Sequence, residues 1–145
     1  MRFEVQDRPA IEDPSERDIR SAISALRSYG LSSIAILTDE NGNYLQVGGG
    51  SMSCLLERRD ACIGRHFRAY HDKPSTVFPD GTILAFARNK IRMQADEWFD
   101  SRVVADAFVA FLRGDELPAS IRWRDVTDVL TTPVSVQPPT GEGKP

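Results

Sequence analysis

The sequence predicts one α+β domain over residues 1–130, with an antiparallel sheet of about five to six strands and two main helices packed on it. Three observations predict this fold. Two segments carry apolar residues at helical spacing, several short segments alternate apolar and charged residues, and short turn sequences connect them. A chain of 145 residues suits a single domain, because this length buries roughly 68–70% of the unfolded surface without a disulfide or a metal.

The N-terminal part is predicted to form a strand at residues 2–6 and a helix that begins at Asp13. Asp13 can act as the N-cap, Pro14 suits the first helical position, and Glu16 completes a capping-box pattern. Gly30 is a typical C-terminal stop. The apolar residues between them form one stripe at helical spacing: Ile19, Ala22, Ile23 and Leu26.

The middle of the chain is predicted to form a meander of strands. An apolar strand at residues 32–38 leads into the turn at residues 39–42, whose Asn-Gly pair is typical of a hairpin. The return strand at residues 43–47 is expected to be broken by the glycine run at residues 48–50. Further strands are predicted at residues 51–57, 66–71, 82–88 and 91–94.

The C-terminal part is predicted to hold the second helix and the last strand. The helix begins at Asp100 or Ser101, ends at Gly114, and is followed by a strand at residues 121–126. Residues 131–145 are rich in proline and glycine and poor in apolar residues. They are therefore predicted to be a disordered tail.

Composition and charge exclude several classes of protein. The chain has 18 Lys and Arg against 21 Asp and Glu, and this net charge of −3 excludes an overall basic nucleic-acid binder. No apolar run approaches the about 20 residues of a membrane span. The N-terminus also lacks the apolar core of a secretory signal. We therefore expect a cytoplasmic protein with Cys54 and Cys62 as reduced thiols.

The small net charge hides three blocks of opposite sign. Residues 1–53 carry eight acids and five bases, residues 54–92 carry four acids and eight bases, and residues 93–130 carry eight acids and four bases. One interpretation is that these charges belong to ordinary solvated faces. The other is that the acidic part of the chain faces a basic partner.

No recognisable catalytic constellation occurs in the sequence. The glycine run at residues 48–50 is not followed by the Lys-Ser or Lys-Thr of a phosphate loop, and it predicts a bulge or a tight turn. His66, His71 and the two cysteines lack metal-ligand spacing, so no metal or cofactor is expected. A nucleophile pair of Cys54 or Cys62 with a histidine stays open, although a buried cysteine is the commoner outcome. These observations favour a binding protein over an enzyme.

Several segments occur in an order and spacing that resembles one protein family. They begin with the helix that carries Ile19, Ile23 and Leu26 and the strand at residues 34–37. The others are residues 44–50, 108–114, Leu117-Pro118 and Ile121-Arg122-Trp123. Together they resemble the first-numbered family of immunity proteins in bacterial polymorphic toxin systems, often found beside deaminase-type toxins. The resemblance runs from about Pro14 to Asp128, apart from residues 58–82.

The resemblance implies a small α+β protein without catalysis that binds its cognate toxin domain in the producing cell. It would block the active site or the substrate groove of that toxin. We expect no direct nucleic-acid or membrane partner, and a monomer or weak homo-oligomer when the protein is free. A toxin that acts on nucleic acid has a basic groove, which an acidic surface could occupy with fast, electrostatically steered association.

The candidate toxin-binding surface combines this charge argument with an aromatic side chain. Trp98 lies in an acidic segment just before the second helix, where it can be a hydrophobic staple or an interface anchor rimmed by negative charge. The first candidate set is Asp96, Glu97, Trp98, Asp100, Asp115 and Glu116. The second candidate set is the pair Asp39 and Glu40.

Alternatives stay open within this function and outside it. The basic segment could instead face an acidic toxin through Arg58, Arg59, Arg65 and Arg68. A small-molecule-binding domain or small enzyme would have a pocket between the sheet and the helices. In that pocket the expected polar groups are His66, Cys54 and Tyr70. A third possibility is a structural or adaptor module.

Overall fold

The structure, a computed structural model, describes residues 1–128. The predicted tail at residues 131–145 lies outside the described residues. The described part holds two helices and nine strands. In chain order they are β1 (Arg2–Val5), β2 (Ile11–Glu12), α1 (Glu16–Ala25), β3 (Ile34–Thr38), β4 (Tyr44–Gly50), β5 (Ser53–Asp60), β6 (Arg65–Tyr70), β7 (Thr82–Phe86), β8 (Asn89–Met93), α2 (Ser101–Arg113) and β9 (Arg122–Asp125).

The strands form one large sheet and one separate hairpin. Seven strands pair in the order β2-β1-β3-β4-β5-β6-β9, and β7 pairs only with β8. All neighbouring strands are antiparallel. The predicted α+β class is confirmed. The expected five to six strands are close to the seven observed: β2 adds a two-residue edge strand, while β7 and β8 leave the main sheet to form a layer of their own.

The two faces of the sheet carry different layers. On one face, called here the helix face, α1 and α2 pack together against alternate strand residues such as Ala35, Leu37 and Leu56. On the opposite face, called the hairpin face, β7 and β8 cover residues such as Ile34 and Leu55. Successive strand residues point to opposite faces, so one run of apolar residues in β3 serves both cores. Both helices therefore lie on the same sheet face.

The glycine run extends β4 instead of breaking it, which corrects the prediction. Gly48 and Gly50 pair with Leu55 and Ser53 of β5. A Cβ atom at Gly48 would clash with the Phe86 ring of the hairpin, and one at Gly50 would clash with backbone at the end of α1. The glycines thus let the covering layers approach the sheet closely.

The first helix starts and ends at other residues than the sequence predicted. Ser15 is the N-cap, and it forms a capping box with Asp18. Asp13 instead has a positive φ of 51° and its carboxylate binds the N-terminal amine. The helix ends at Ala25 because Leu26 adopts an extended conformation, so Gly30 is not its stop.

The second helix matches its prediction at both ends. The Asp100 side chain accepts hydrogen bonds from the backbone of Arg102 and Val103, and Gly114 closes the helix in the left-handed conformation. Within residues 1–128, neither helix has both the length and the apolar character that a membrane crossing requires.

Candidate functional site

The acidic segment before α2 is folded into the protein, and two of its members are buried. The Glu97 carboxylate is almost inaccessible, 2.9 Å from Nη1 of Arg124 and 3.7 Å from Nη1 of Arg68. The Trp98 ring stacks on Phe78 with 4.2 Å between ring centroids, in the core beneath the hairpin. Glu97 and Trp98 therefore support the fold and are not available as an exposed surface.

Bases from the sheet neutralise this segment. Arg124 also bonds the half-buried Asp96 carboxylate at 3.0 Å, and this bond raises the pKa of Arg124. On the adjacent strand, Arg68 lies 2.9 Å from the buried Glu57. Burial raises the pKa of Glu57 although Arg68 opposes the shift. The acidic segment before α2 is thus partly neutralised by Arg68 of β6 and Arg124 of β9 on the hairpin face.

Two further predicted acids have local structural roles. Asp100 caps α2, as described above. Asp39 organises the turn between β3 and β4, where its carboxylate accepts hydrogen bonds from the backbone of Asn41 and from the backbone and side chain of Asn43. Both carboxylates are therefore used to shape backbone.

The remaining three predicted acids are exposed at one end of the sheet. Glu40 lies in the β3–β4 turn, while Asp115 and Glu116 follow α2. Within residues 1–128, none of the three forms an ion pair or a side-chain hydrogen bond. We call this group the acidic end. The structure thus brings Glu40 of the second candidate set to the same end of the sheet as Asp115 and Glu116 of the first. Asp96 lies apart from these three residues.

A small cleft lies between the two loops of the acidic end. Its volume is about 190 Å³. Both loops reach it, because Asn43 follows the turn of Glu40 and Leu117 follows Glu116. Its lining residues are Asn43, Tyr44, Arg58, Arg59, Asp60, Phe111 and Leu117. We call it the Arg58 cleft; sequence reasoning missed it because its walls come from three separate parts of the chain.

The four arginines of the alternative basic surface are dispersed. Arg68 lies in the buried ion-pair network of the hairpin face, and Arg65 lies 3.7 Å from Asp125. Arg58 and Arg59 both line the Arg58 cleft. Nη1 of Arg59 lies 3.1 Å from Nε2 of His66, and burial together with the Arg59 charge lowers the pKa of that histidine.

The polar groups of the alternative pocket do not converge. Cys54 is buried in the core of the helix face, and burial raises the pKa of its thiol to about 12. His66 is at the start of β6, whereas Tyr70 at its end lies under the Arg124 guanidinium, 4.4 Å away. No group of His, Cys, Asp or Glu side chains within residues 1–128 is arranged to hold a metal ion.

The opposite end of the sheet carries a larger groove that sequence reasoning also missed. Its volume is about 1060 Å³, and its walls come from the ends of β1, the α1–β3 loop and the tip of the β7–β8 hairpin. Tyr29 and Leu31 on this rim are 87% and 82% exposed. Arg8, Arg88 and Lys90 also line it. This apolar and basic region is called here the rim groove.

Comparisons of the sequence with family models and with curated proteins found no relative. No protein-family model matches the chain, and no curated protein sequence gives a significant match. The function is therefore inferred from the residues and the geometry described above.

Proposed function

We propose that this protein is an immunity protein that binds a cognate toxin domain in the cytoplasm of the producing cell and blocks the active site of that toxin. The order of its segments resembles the first-numbered immunity family of polymorphic toxin systems. That resemblance implies an α+β fold, and the chain has an α+β fold. The resemblance implies a deaminase-type toxin, and the charge distribution favours a target that acts on nucleic acid.

The observation that carries the proposal is the acidic end. Glu40, Asp115 and Glu116 are exposed, come from two loops, and have no ion-pair partner within residues 1–128. A groove that binds nucleic acid presents Lys and Arg to phosphates. Carboxylates on projecting loops can occupy the same positions and accelerate association by electrostatic steering.

This assignment uses fewer residues than the sequence suggested. Asp96, Glu97, Trp98 and Asp100 hold the hairpin-face core and the start of α2, so they act as scaffold. Asp39 shapes the turn that presents Glu40. Asp115 and Glu116 keep their proposed role as contact residues.

Binding and protection test the function itself. The protein is co-expressed with the product of the adjacent gene, and both co-purification and rescue of growth from its toxicity are measured. We expect a stable complex and rescued cells. Failure of both would overturn the immunity function.

A charge reversal tests the acidic end. We expect Asp115→Lys with Glu116→Lys to slow association with the toxin about tenfold at low salt and to flatten its salt dependence, because rim charges act mainly on the association rate. The matched control is Asp72→Lys with Asp106→Lys, which makes the same change in net charge at exposed ion pairs elsewhere. Equal effects of the two double variants would contradict the assignment.

A further inference from the structure

Arg58 has an unusual environment for an arginine. It lies on β5, on the helix face, at the border of the Arg58 cleft. The carbon of its guanidinium lies 4.2 Å from the centre of the Phe67 ring and 5.0 Å from that of Trp123. Both aromatic faces attract the cation and hold the guanidinium plane in place.

This guanidinium has no anionic partner within residues 1–128. Its Nε atom is buried and has no hydrogen-bond partner there. Burial accordingly lowers the pKa of Arg58, while the charge of Asp60 opposes the shift. Arginine remains charged in proteins, so this half-buried cation keeps one buried donor, its Nε–H, without a partner.

Arg68 on the neighbouring strand differs from Arg58, because it has two carboxylate partners. Its guanidinium has Glu57 at 2.9 Å and Glu97 at 3.7 Å. Burying a cation costs free energy unless a carboxylate or a hydrogen bond compensates. Arg58 has the aromatic support but lacks the carboxylate, and the open cleft beside it provides space for one.

The lining of the Arg58 cleft suits a carboxylate. On this face Arg58 contributes one positive charge beside the carboxylate of Asp60, one oxygen of which accepts the backbone N–H of Cys62. The Arg59 side chain points to the hairpin face, where it meets His66. Phe111 and Leu117 offer apolar contacts for a short carbon stem.

We propose that the Arg58 cleft is a binding site for a carboxylate group, which the forked guanidinium of Arg58 binds through parallel hydrogen bonds. In the complex, the carboxylate comes from an Asp or Glu side chain of the toxin; this source rests on the proposed function, whereas the site does not. The two loops that carry the acidic end reach the cleft through Asn43 and Leu117. The arrangement therefore fits a partner surface that is basic overall and carries one central carboxylate.

Sodium acetate is the probe for the free protein. The indole N–H signals of Trp123 and Trp98 are followed by ¹H–¹⁵N NMR during an acetate titration, with sodium chloride at equal ionic strength as the reference. We expect a saturable shift of the Trp123 signal and of the Arg58 Nε–H signal. The Trp98 signal, from the core under the hairpin, should stay in place.

Two variants test whether Arg58 causes the response to acetate. Arg58→Lys keeps the charge but lacks the planar fork, so we expect its affinity for acetate to fall at least tenfold. Arg8→Lys is the matched control, because Arg8 is an exposed arginine of the rim groove, and its acetate response should equal that of the unmodified protein.

Several outcomes would overturn the site. They are an equal response to chloride, a Trp123 shift that survives in Arg58→Lys, and a response to inorganic phosphate without one to acetate. The comparison of acetate with chloride in the unmodified protein needs no variant to fold. Acetate binding without any toxin binding would overturn the proposed function and leave the carboxylate site standing.

Discussion

The two cysteines show how strongly position controls the chemistry of one residue type. Cys54 is completely buried, and its Sγ atom faces the carbonyl oxygen of Ser51 at 3.7 Å. Burial, helped by the negative charge of Asp100, raises the pKa of its thiol to about 12. Cys62 is exposed in the turn between β5 and β6. The thiolate is the reactive form of cysteine, so only Cys62 should react in the folded protein.

Alkylation with iodoacetamide checks this difference. We expect one label per native chain, on Cys62, and a second label on Cys54 only after unfolding in denaturant. Raising the pH from about 7 to about 9 should leave native Cys54 unlabelled, because its thiol stays protonated well above an ordinary thiol pKa. In Cys62→Ser the native protein should take up no label. Labelling of native Cys54 at a similar rate would contradict its burial.

At the scale of elements, a buried ion-pair network joins three strands to the segment before α2. Glu57 of β5, Arg68 of β6 and Arg124 of β9 lie side by side across the sheet, and Glu97 closes the group. A buried pair is not strongly stabilising as a whole, but losing one partner leaves an uncompensated charge. The network therefore makes the position of the acidic segment depend on β6.

Removing Arg68 should destabilise the fold in a manner that depends on pH. We expect Arg68→Met to cost about 3–5 kcal/mol of unfolding free energy near pH 7, because Glu57 and Glu97 lose a buried cation. The folded state already raises the pKa of Glu57, and without Arg68 it rises further. Folding then favours the protonated acid, so the cost should shrink as the pH falls towards about 5.

Denaturant unfolding at both pH values measures this effect. The matched control is Arg122→Met, whose partner Asp72 is exposed, so its cost should stay below about 1 kcal/mol. Equal costs for the two variants, or a cost for Arg68→Met that does not change with pH, would contradict the role of the network.

Local signals predicted α2 well, whereas other boundaries depended on distant contacts. The cap of Asp100 and the left-handed Gly114 involve only neighbouring residues, so sequence was sufficient. The predicted break at the glycine run was wrong because the missing side chain at Gly48 makes room for the Phe86 ring, which belongs to a hairpin distant in sequence. Likewise, the sequence could count the charge of Glu97 but could not show that Arg124 neutralises it.

The whole molecule has two ends of different character. The acidic end lies beside the Arg58 cleft at one end of the sheet, since both of its loops reach that cleft. Tyr44 at the start of β4 borders the Arg58 cleft, whereas Gly50 at the end of β4 packs against the end of α1. The α1–β3 loop that follows α1 lines the rim groove, so this groove lies at the other end of the sheet. Seven residues of β4 separate these ends by roughly 20 Å. A toxin that is blocked by the acidic end need not reach the rim groove.

This separation predicts the footprint of the toxin. We expect hydrogen-exchange protection at residues 39–43 and 114–118 on complex formation, and none at residues 27–31 or 87–90. Tyr29→Ala with Leu31→Ser should then change toxin affinity less than about twofold, because both side chains project from the rim groove.

An interface anchor would cost at least about 2 kcal/mol, which is roughly thirtyfold in affinity. A loss of that size, with protection at residues 27–31, would move the toxin from the acidic end to the rim groove. In that case Asp115→Lys with Glu116→Lys should bind as well as its matched control.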